Sequence, residues 1–494
     1  MHVLVTGGTG VVGRSTVTAL LQRGHVVRLL SRHAERDAAQ WPHGVNAFAA
    51  DIRDPAAITG AADSCDVVLH LAASVHEKDA RDLNRLNIDG TRHLLEESTR
   101  ADVQRFVYVS SLGADSGKSD YHQSKRAAEA LVRDLAATWT IVRPGNVYGP
   151  GDEQISLLLR MIRSLPVIPS IGGGDQEFQP IWHGDLAEAL AIVVEREDLA
   201  GRVLDIAGPQ KTSQKDLVQR LSRITNRHVA TVDVPEVLTS TALKVASAVG
   251  IEAPFTENQL RMLKDGNVIE PGAENALTTV LNLTGTPLDE GLRQLADAQD
   301  EQLPHDGVGP LRRKRYWADM PGLEMTPEAL MAIVRADFPR LMASFIDAQA
   351  ETTSAKIEEG ATLTLSLPLR GHVQVRVAEN EPRVFTLVSL AGHPLAGAVR
   401  FLTEHRGTAL RFEVQVFDRA ANLGDLVVMR TVGEPLQDAS WRAMVQNVAR
   451  LCGFADQTIE IQQDTESLDK DQATRIDGWL TDLVMERRRD AASI

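Results

Sequence analysis

Between an apolar run, Val3-Leu4-Val5, and a helical stretch starting at Val12, the chain reads Thr6-Gly7-Gly8-Thr9-Gly10-Val11-Val12-Gly13. Few folds accept glycines at this spacing. Gly7 and Gly10 let the backbone turn tightly and approach a ligand, and Gly13 lets a helix pack closely on a strand. The helix then offers its first N–H groups to an anion. The segment predicts a strand, a phosphate-cradling turn including Thr9, Val11 and Val12, and a helix.

The same strand-then-helix grammar recurs downstream. Short β-branched runs stand at Val26–Leu30, Val45–Ala49, Val67–Leu71, Phe106–Ser110 and Thr140–Arg143, separated by helical segments Val12–Arg23, Leu83–Thr99 and Tyr121–Thr138. The expected fold class is α/β, a Rossmann-type doubly wound parallel sheet.

With 494 residues the chain exceeds one core. We expect a domain over 1–304, with its nucleotide core over about 1–230 and a substrate-side extension over about 231–304. Gln210–Gln302 shows no comparable set of strands, and His305–Pro310 is the linker candidate. From about Val308 the pattern changes. Leu410, Phe412, Val414 and Val416 alternate with Arg411, Glu413 and Gln415, and Val373, Val375 and Val377 behave likewise. Further strands at Ala361–Leu367, Arg383–Leu390 and Ala398–Thr403 and a helix at Trp441–Leu451 make residues 305–494 an antiparallel α+β domain.

Two places in the first domain carry chemistry. After the second strand, where NAD sites place a carboxylate for the ribose, stand Ser31-Arg32. An arginine suits a 2′-phosphate, so NADP(H) is preferred over NAD(H). After the fifth strand come Ser110-Ser111, and then Tyr121-His122-Gln123-Ser124-Lys125 opens a helix. Residues four apart share a helical face, so the Lys125 ammonium is expected beside the Tyr121 phenol, lowering its pKa.

This ordered set resembles the short-chain dehydrogenase/reductases of the extended or atypical branch. It includes Asp51-Ile52, His70-Leu71-Ala72-Ala73, Asn87, Arg143-Pro144-Gly145-Asn146-Val147-Tyr148-Gly149-Pro150 and Ile181–Ala187. The likeness runs to about residue 300 through Phe255–Leu260 and Thr286–Leu292, which are similar to the accessory NAD(P)-binding subunit of respiratory complex I. It implies Tyr121 as general acid/base, Lys125 on the nicotinamide ribose, and Ser111 on the reacting oxygen. Asn87 would assist through its backbone or a water, or else be a buried helix residue. Asp51 and Ile52 would meet the adenine, and Leu71 to Ala73 with Pro144 to Val147 would line the cofactor. The Ser111-to-Tyr121 interval is tighter than in the sugar-nucleotide epimerases, which argues against a sugar-nucleotide substrate. The second domain is similar to an uncharacterised family of helix-grip, START-like shape, through Leu390–Pro394, Gly397–Phe401 and Phe412–Phe417. Such a shape implies a lipid-like or other apolar ligand; the competing reading is a partner-binding or dimerising module. His393 and Arg400 are read as turn and surface residues.

A net charge of −15 argues against a broad nucleic-acid footprint. Arg312-Arg313-Lys314-Arg315 and Arg487-Arg488-Arg489 are read as solvated surface or helix-end features. Cys65 and Cys452 are too few for a disulfide framework, no histidine spacing suggests a metal, and no run is long enough to span a membrane. With a first strand starting at Val3, a cytoplasmic protein is expected. The expected activity is hydride transfer to or from a carbonyl or alcohol of a small, apolar substrate. The alternatives are a non-catalytic NADP(H)-binding sensor or assembly module and an NAD(P)-dependent epimerase or dehydratase. A homo-oligomer stays open.

Overall fold

Seven parallel strands build the first sheet of the computed structural model: β1 (His2–Thr6), β2 (Val26–Ser31), β3 (Val45–Ala49), β4 (Val67–His70), β5 (Arg105–Val109), β6 (Thr138–Pro144) and β7 (Val203–Ile206). The structure describes all residues except 42, 75–79, 136, 153, 165–166, 172, 226, 235–266, 299–300, 343–346, 351–356, 368–370, 423–424, 427–432, 455–458 and 493–494. Phe255–Leu260 therefore lies outside the described residues.

The spatial order is β7-β6-β5-β4-β1-β2-β3, so the chain reverses direction across the sheet between β1 and β4. Both faces of the central strands are covered, which is why Val3 to Val5 of β1 and Val67 to Leu69 of β4 are continuously apolar. Val3 and Val5 face one core with Val17 and Leu20 of α1 (Val11–Gln22), while Leu4 faces another with Leu94 of α2 (Gly90–Arg100) and Val132 of α3 (Asp120–Arg133). The predicted helix over Leu83–Thr99 is interrupted: Arg85–Asp89 forms a π-turn ahead of α2. In the predicted extension, the described residues include one short strand, Ala230–Val234.

The chain divides into two compact units, one of residues 1–158, 169–220 and 231–295, the other of 159–168, 221–230 and 296–494. The second contains an eight-stranded sheet, antiparallel at every pairing. Its strands are β8 (Val308–Pro321), β9 (Asp347–Ala350), β10 (Thr362–Leu367), β11 (Gly371–Glu381), β12 (Val384–Ser389), β13 (Leu395–Arg406), β14 (Ala409–Ala420) and β15 (Gln462–Ser467). They lie in the order β9-β10-β11-β12-β13-β14-β8-β15. Leu410, Phe412, Val414 and Val416 face one core as predicted, against Leu330 of α4 (Pro327–Ala336) and Trp441, Met444 and Val448 of α5 (Glu434–Leu451). The opposite face carries Ala378, Val388 and Ala398 under Leu480 and Val484 of α6 (Lys470–Ala492).

Two expectations from the sequence are corrected by this sheet. The basic run is no solvated end: Arg312 to Arg315 lie in β8, inside the sheet. Arg313 pairs with Glu466, Arg315 with Asp464 at 2.5 Å, Arg312 with Glu434, and the buried Lys314 donates to Gln437 at 2.6 Å. Arg487 pairs with the buried Glu301, which also receives Arg376 at 3.1 Å. The linker candidate is itself structured. Pro304–Asp306 forms a 3-10 turn, Val308 already belongs to β8, and just upstream Gln302 donates its N–H to Ser389 at 2.7 Å. His393 lies in the turn between β12 and β13, as read from the sequence, buried and bonded to Leu395, and the partly exposed Arg400 pairs with Glu379 at 2.9 Å.

Candidate active site

The glycine turn opens a cavity of about 390 Å³ at the reversal between β1 and β4, where ligands sit in open α/β sheets. Gly7 has φ +73°, and a Cβ there would meet the Ala72 nitrogen at 2.7 Å. At Gly13 a Cβ would meet the Gly7 carbonyl at 2.1 Å, so the helix could not close on the strand. Gly10, the N-cap of α1, would bring its Cβ only to the Gly7 oxygen at 3.5 Å, leaving its outer side open for a phosphate. The cavity also reaches Thr9, Ser31, Arg32, Asp51, Ile52 and Leu71 to Ala73. Sequence reading missed Arg53, which lines it too. Arg53 grips Asp51 bidentately, with Nε at 3.0 and 3.1 Å and Nη2 at 2.6 Å. That guanidinium holds the Asp51 carboxyl below the usual range against the opposing effect of burial. This wall of the cavity therefore carries an ion pair rather than a bare carboxylate. Among the described residues Arg32 makes no hydrogen bond, and Ser31 donates to Asp37 at 2.7 Å.

Pro144 to Val147, expected to line the cofactor, are not among the residues that line this cavity. The Gly145 N–H donates to Ile206 at 2.8 Å, and a Cβ on Gly145 would strike the Gln179 carbonyl at 2.2 Å. Asn146 donates to Gln154 at 3.0 Å, and Val147 pairs with Ile181. Two motifs far apart in sequence meet nearby: Asp185 accepts from the Thr286 N–H at 2.6 Å and from its hydroxyl at 2.8 Å.

Beyond β5, the buried Ser111 caps a 3-10 turn, Leu112–Ala114. Ser119 caps α3 by accepting the His122 N–H at 3.2 Å, placing Tyr121 and Lys125 on the first turns of that helix. The short connection is held from within. The His122 ring packs where side chains at Gly113 and Gly117 would sit, and Arg126 donates to the Ala114 carbonyl at 2.7 Å.

Lys125 is buried, with its ammonium on the Val109 carbonyl at 2.7 Å and 4.5 Å above the Tyr108 ring. Burial pulls its pKa down to about 7, opposed by the Glu129 carboxylate one turn on. The expectation that Lys125 lowers the Tyr121 pKa is overturned. Burial pushes Tyr121 up to about 12, because the ammonium is turned onto β5 rather than onto the phenol.

Beneath the site runs a chain of hydrogen bonds. The Thr91 hydroxyl donates to the Asn87 carbonyl at 2.7 Å, so it accepts from His70 Nε2 at 3.0 Å. His70 Nδ1 then accepts from Thr6 Oγ1 at 2.6 Å, and Thr6 accepts from the Ala72 N–H at 3.3 Å. The Asn87 amide is fully engaged. It accepts from the Ser74 N–H and donates to the Ser74 carbonyl and to Ser124, whose hydroxyl donates to the Tyr121 carbonyl at 2.7 Å. Asn87 thus ties Ser74 to Ser124 of α3.

Burial, with a contribution from the Lys125 charge, depresses the His70 pKa to about 3. The folded value lies below the unfolded one, so this contribution is full above about pH 6.5 and is lost as pH falls toward 3. We expect stability to fall by up to about 1.4 kcal/mol per pH unit over that window. Chemical denaturation between pH 7 and 4 measures it, and His70→Gln should flatten the slope; an unflattened slope assigns the acid sensitivity to other groups.

A family model described as the NAD dependent epimerase/dehydratase family matches residues 3–207. This part of the chain is accordingly similar to the epimerase/dehydratase domains of the extended short-chain dehydrogenase/reductases. Over 168 residues, 34% of this chain and 53% of the relative, it is 36% identical to the ceramide reductase of Caulobacter vibrioides. Over 186 residues, 33% of this chain and 56% of the relative, it is 36% identical to sterol demethylase protein B of Methylococcus capsulatus. With the 40 kDa subunit of NADH-ubiquinone oxidoreductase from Neurospora crassa it shares 25% identity over 237 residues, 47% of this chain and 62% of that one. The chain spans about half the length of the first two of these relatives. An epimerase structure from Methanothermobacter thermautotrophicus superposes with a TM-score of 0.50 at 18% identity, covering 60% of this chain and 90% of the other, which establishes the shared fold. Among the described residues no helix is long and apolar enough to cross a membrane, and no cluster of His, Cys, Asp or Glu could hold a metal ion.

Proposed function

We propose that the first unit is an NADP(H)-dependent oxidoreductase acting at a carbonyl or alcohol of a small, apolar substrate. The observation that carries this is Lys125, buried with its ammonium fixed at the end of β5, two residues before Ser111 and one helical turn beyond Tyr121. A lysine held near neutrality in a dry setting has the chemistry of a functional group rather than of a surface charge. When bound, the nicotinamide supplies or accepts the hydride. Gly7 and Gly10 would make room for its phosphates, Gly13 would let the helix close behind them, and Lys125 would hold the ribose end. Ser111 orients the reacting oxygen. Tyr121, whose phenol keeps its proton at neutral pH, donates that proton to the oxygen in the reductive direction. The reductase and demethylase among the relatives act, by their names, on a ceramide and on sterols. They support an apolar substrate class here as well.

NADP(H) preference rests on Arg32 at the cavity wall beside Ser31. Arg32→Ala should weaken NADPH about 10- to 100-fold, the scale of hydrogen bonds to a charged group, and NADH far less. Calorimetric titration of both nucleotides tests this together with the cofactor reading: equal affinity of the native protein for the two defeats it. A carbonyl and alcohol screen with each nucleotide then tests the reaction.

A second reading is a nucleotide-holding assembly module without turnover, favoured by the likeness to the respiratory-complex subunit. Tight NADPH binding with no turnover across that screen would support it.

For residues 305–494 we propose a helix-grip domain. Supporting it is the order of one strand (β8), helices, a six-strand meander (β9 to β14) and the long α5, with β8 closing beside β14. An apolar ligand there has to share space with Phe385, stacked on Phe401 at 4.4 Å, and Phe338 against both. Titrating the full chain with a fluorescent fatty-acyl probe, alongside ultracentrifugation, separates ligand uptake from self-association.

A further inference from the structure

At the ends of β2 and β3 the cavity wall brings together two cations and one carboxylate: Arg32, Arg53 and Asp51. A second carboxylate, Asp37, lies close by but is closed off by the Ser31 hydroxyl at 2.7 Å and by Arg36 at 2.9 Å. Asp51 is closed off differently. Both of its oxygens are taken by the Arg53 side chain, and the Arg53 N–H also donates to Oδ1 at 2.9 Å. The three groups together carry one net positive charge, whereas Arg32 and Asp51 alone would cancel. An unscreened carboxylate on this wall would repel a phosphate dianion.

We propose that Arg53 is a specificity-determining residue, which masks Asp51 so that the wall accepts a 2′-phosphate. The proposal rests on the NADP(H) reading of this site. Arg53 acts mainly by covering a carboxylate and only secondarily as a contact. Its effect therefore depends on Asp51 being present. The pair is local in sequence and partly exposed, with 35% and 28% of the two side chains accessible, so changes here leave the core of the sheet intact.

The test is equilibrium binding of NADPH and of NADH to the full chain, followed by nucleotide fluorescence, for the native protein, Arg53→Ala, Asp51→Asn and the double variant. The native protein is expected to prefer NADPH. Arg53→Ala should lower the NADPH-to-NADH affinity ratio at least tenfold. Asp51→Asn should keep or raise the native ratio, and the double variant should recover at least fivefold of what Arg53→Ala loses. A double variant no better than Arg53→Ala, or an unchanged ratio in Arg53→Ala, overturns the masking role while the NADP(H) reading stands. A native protein without preference overturns both. Arg53→Lys gives a second check. It keeps the charge without the bidentate grip, and it should fall between native and Arg53→Ala; a ratio as low as that of Arg53→Ala supports geometry over charge and overturns masking by charge.

Discussion

Replacing Tyr121 by phenylalanine should cut turnover about 100-fold or more while NADPH affinity stays within about twofold, as loss of a general acid predicts. The two effects separate because the phenol and the nucleotide are held by different parts of the domain. Tyr121 is fixed by the Ser119 cap and by Ser124 on its carbonyl, whereas the glycine turn and Arg32 lie across the β1 to β4 reversal. Single-turnover kinetics on any substrate found by the screen, with binding titrated in parallel, decides the matter. Undiminished turnover removes Tyr121 from the chemistry.

Removing the Glu301 carboxylate should be the most damaging single change to the second unit. Arg376 and Arg487 converge on it, and Glu301 and Arg376 are almost wholly buried. Taking one partner from a buried ion pair leaves charge in a low-dielectric interior, at a cost of about 3–5 kcal/mol. We expect Glu301→Ala to lower the unfolding free energy of this unit by about that amount in urea, and Glu301→Gln, which retains an acceptor, to cost less. An unshifted midpoint for Glu301→Ala would show that other groups satisfy the two arginines.

Much of the fold was legible in the sequence, for physical reasons. Central strands buried on both faces carry apolar runs, so β1, β4 and β5 announced themselves, and the glycine turn could serve few other purposes. The alternation in β14 likewise placed Leu410, Phe412, Val414 and Val416 on the core face. β8 was not legible. Four consecutive basic residues look like solvent-facing chain, and the acids that neutralise them, Glu434, Asp464 and Glu466, lie more than a hundred residues downstream. The orientation of Lys125 was hidden in the same way. Helical spacing puts it on the same face as Tyr121, but the Val109 carbonyl, on a neighbouring strand, decides where its ammonium goes. Arg53 had a signal that was passed over, a charge of opposite sign two residues after Asp51.

The place of β8 in its sheet has a consequence for the growing chain. Tyr316 of β8 pairs with Val414 of β14, 98 residues later. At ribosomal speeds of about 5–20 residues per second, β8 leaves the exit tunnel about 5–20 s before its partner. During that wait Tyr316, Ala318 and Met320, buried in the finished sheet, form an uncovered apolar stripe. A lone apolar strand recruits any open edge, including that of another nascent chain, and clustered charge is the usual protection. Arg312 to Arg315 supply that charge on the strand itself. The basic side chains whose ion pairs later hold β8 between β14 and β15 therefore have an earlier duty, as unpaired charges guarding a strand made long before its neighbours.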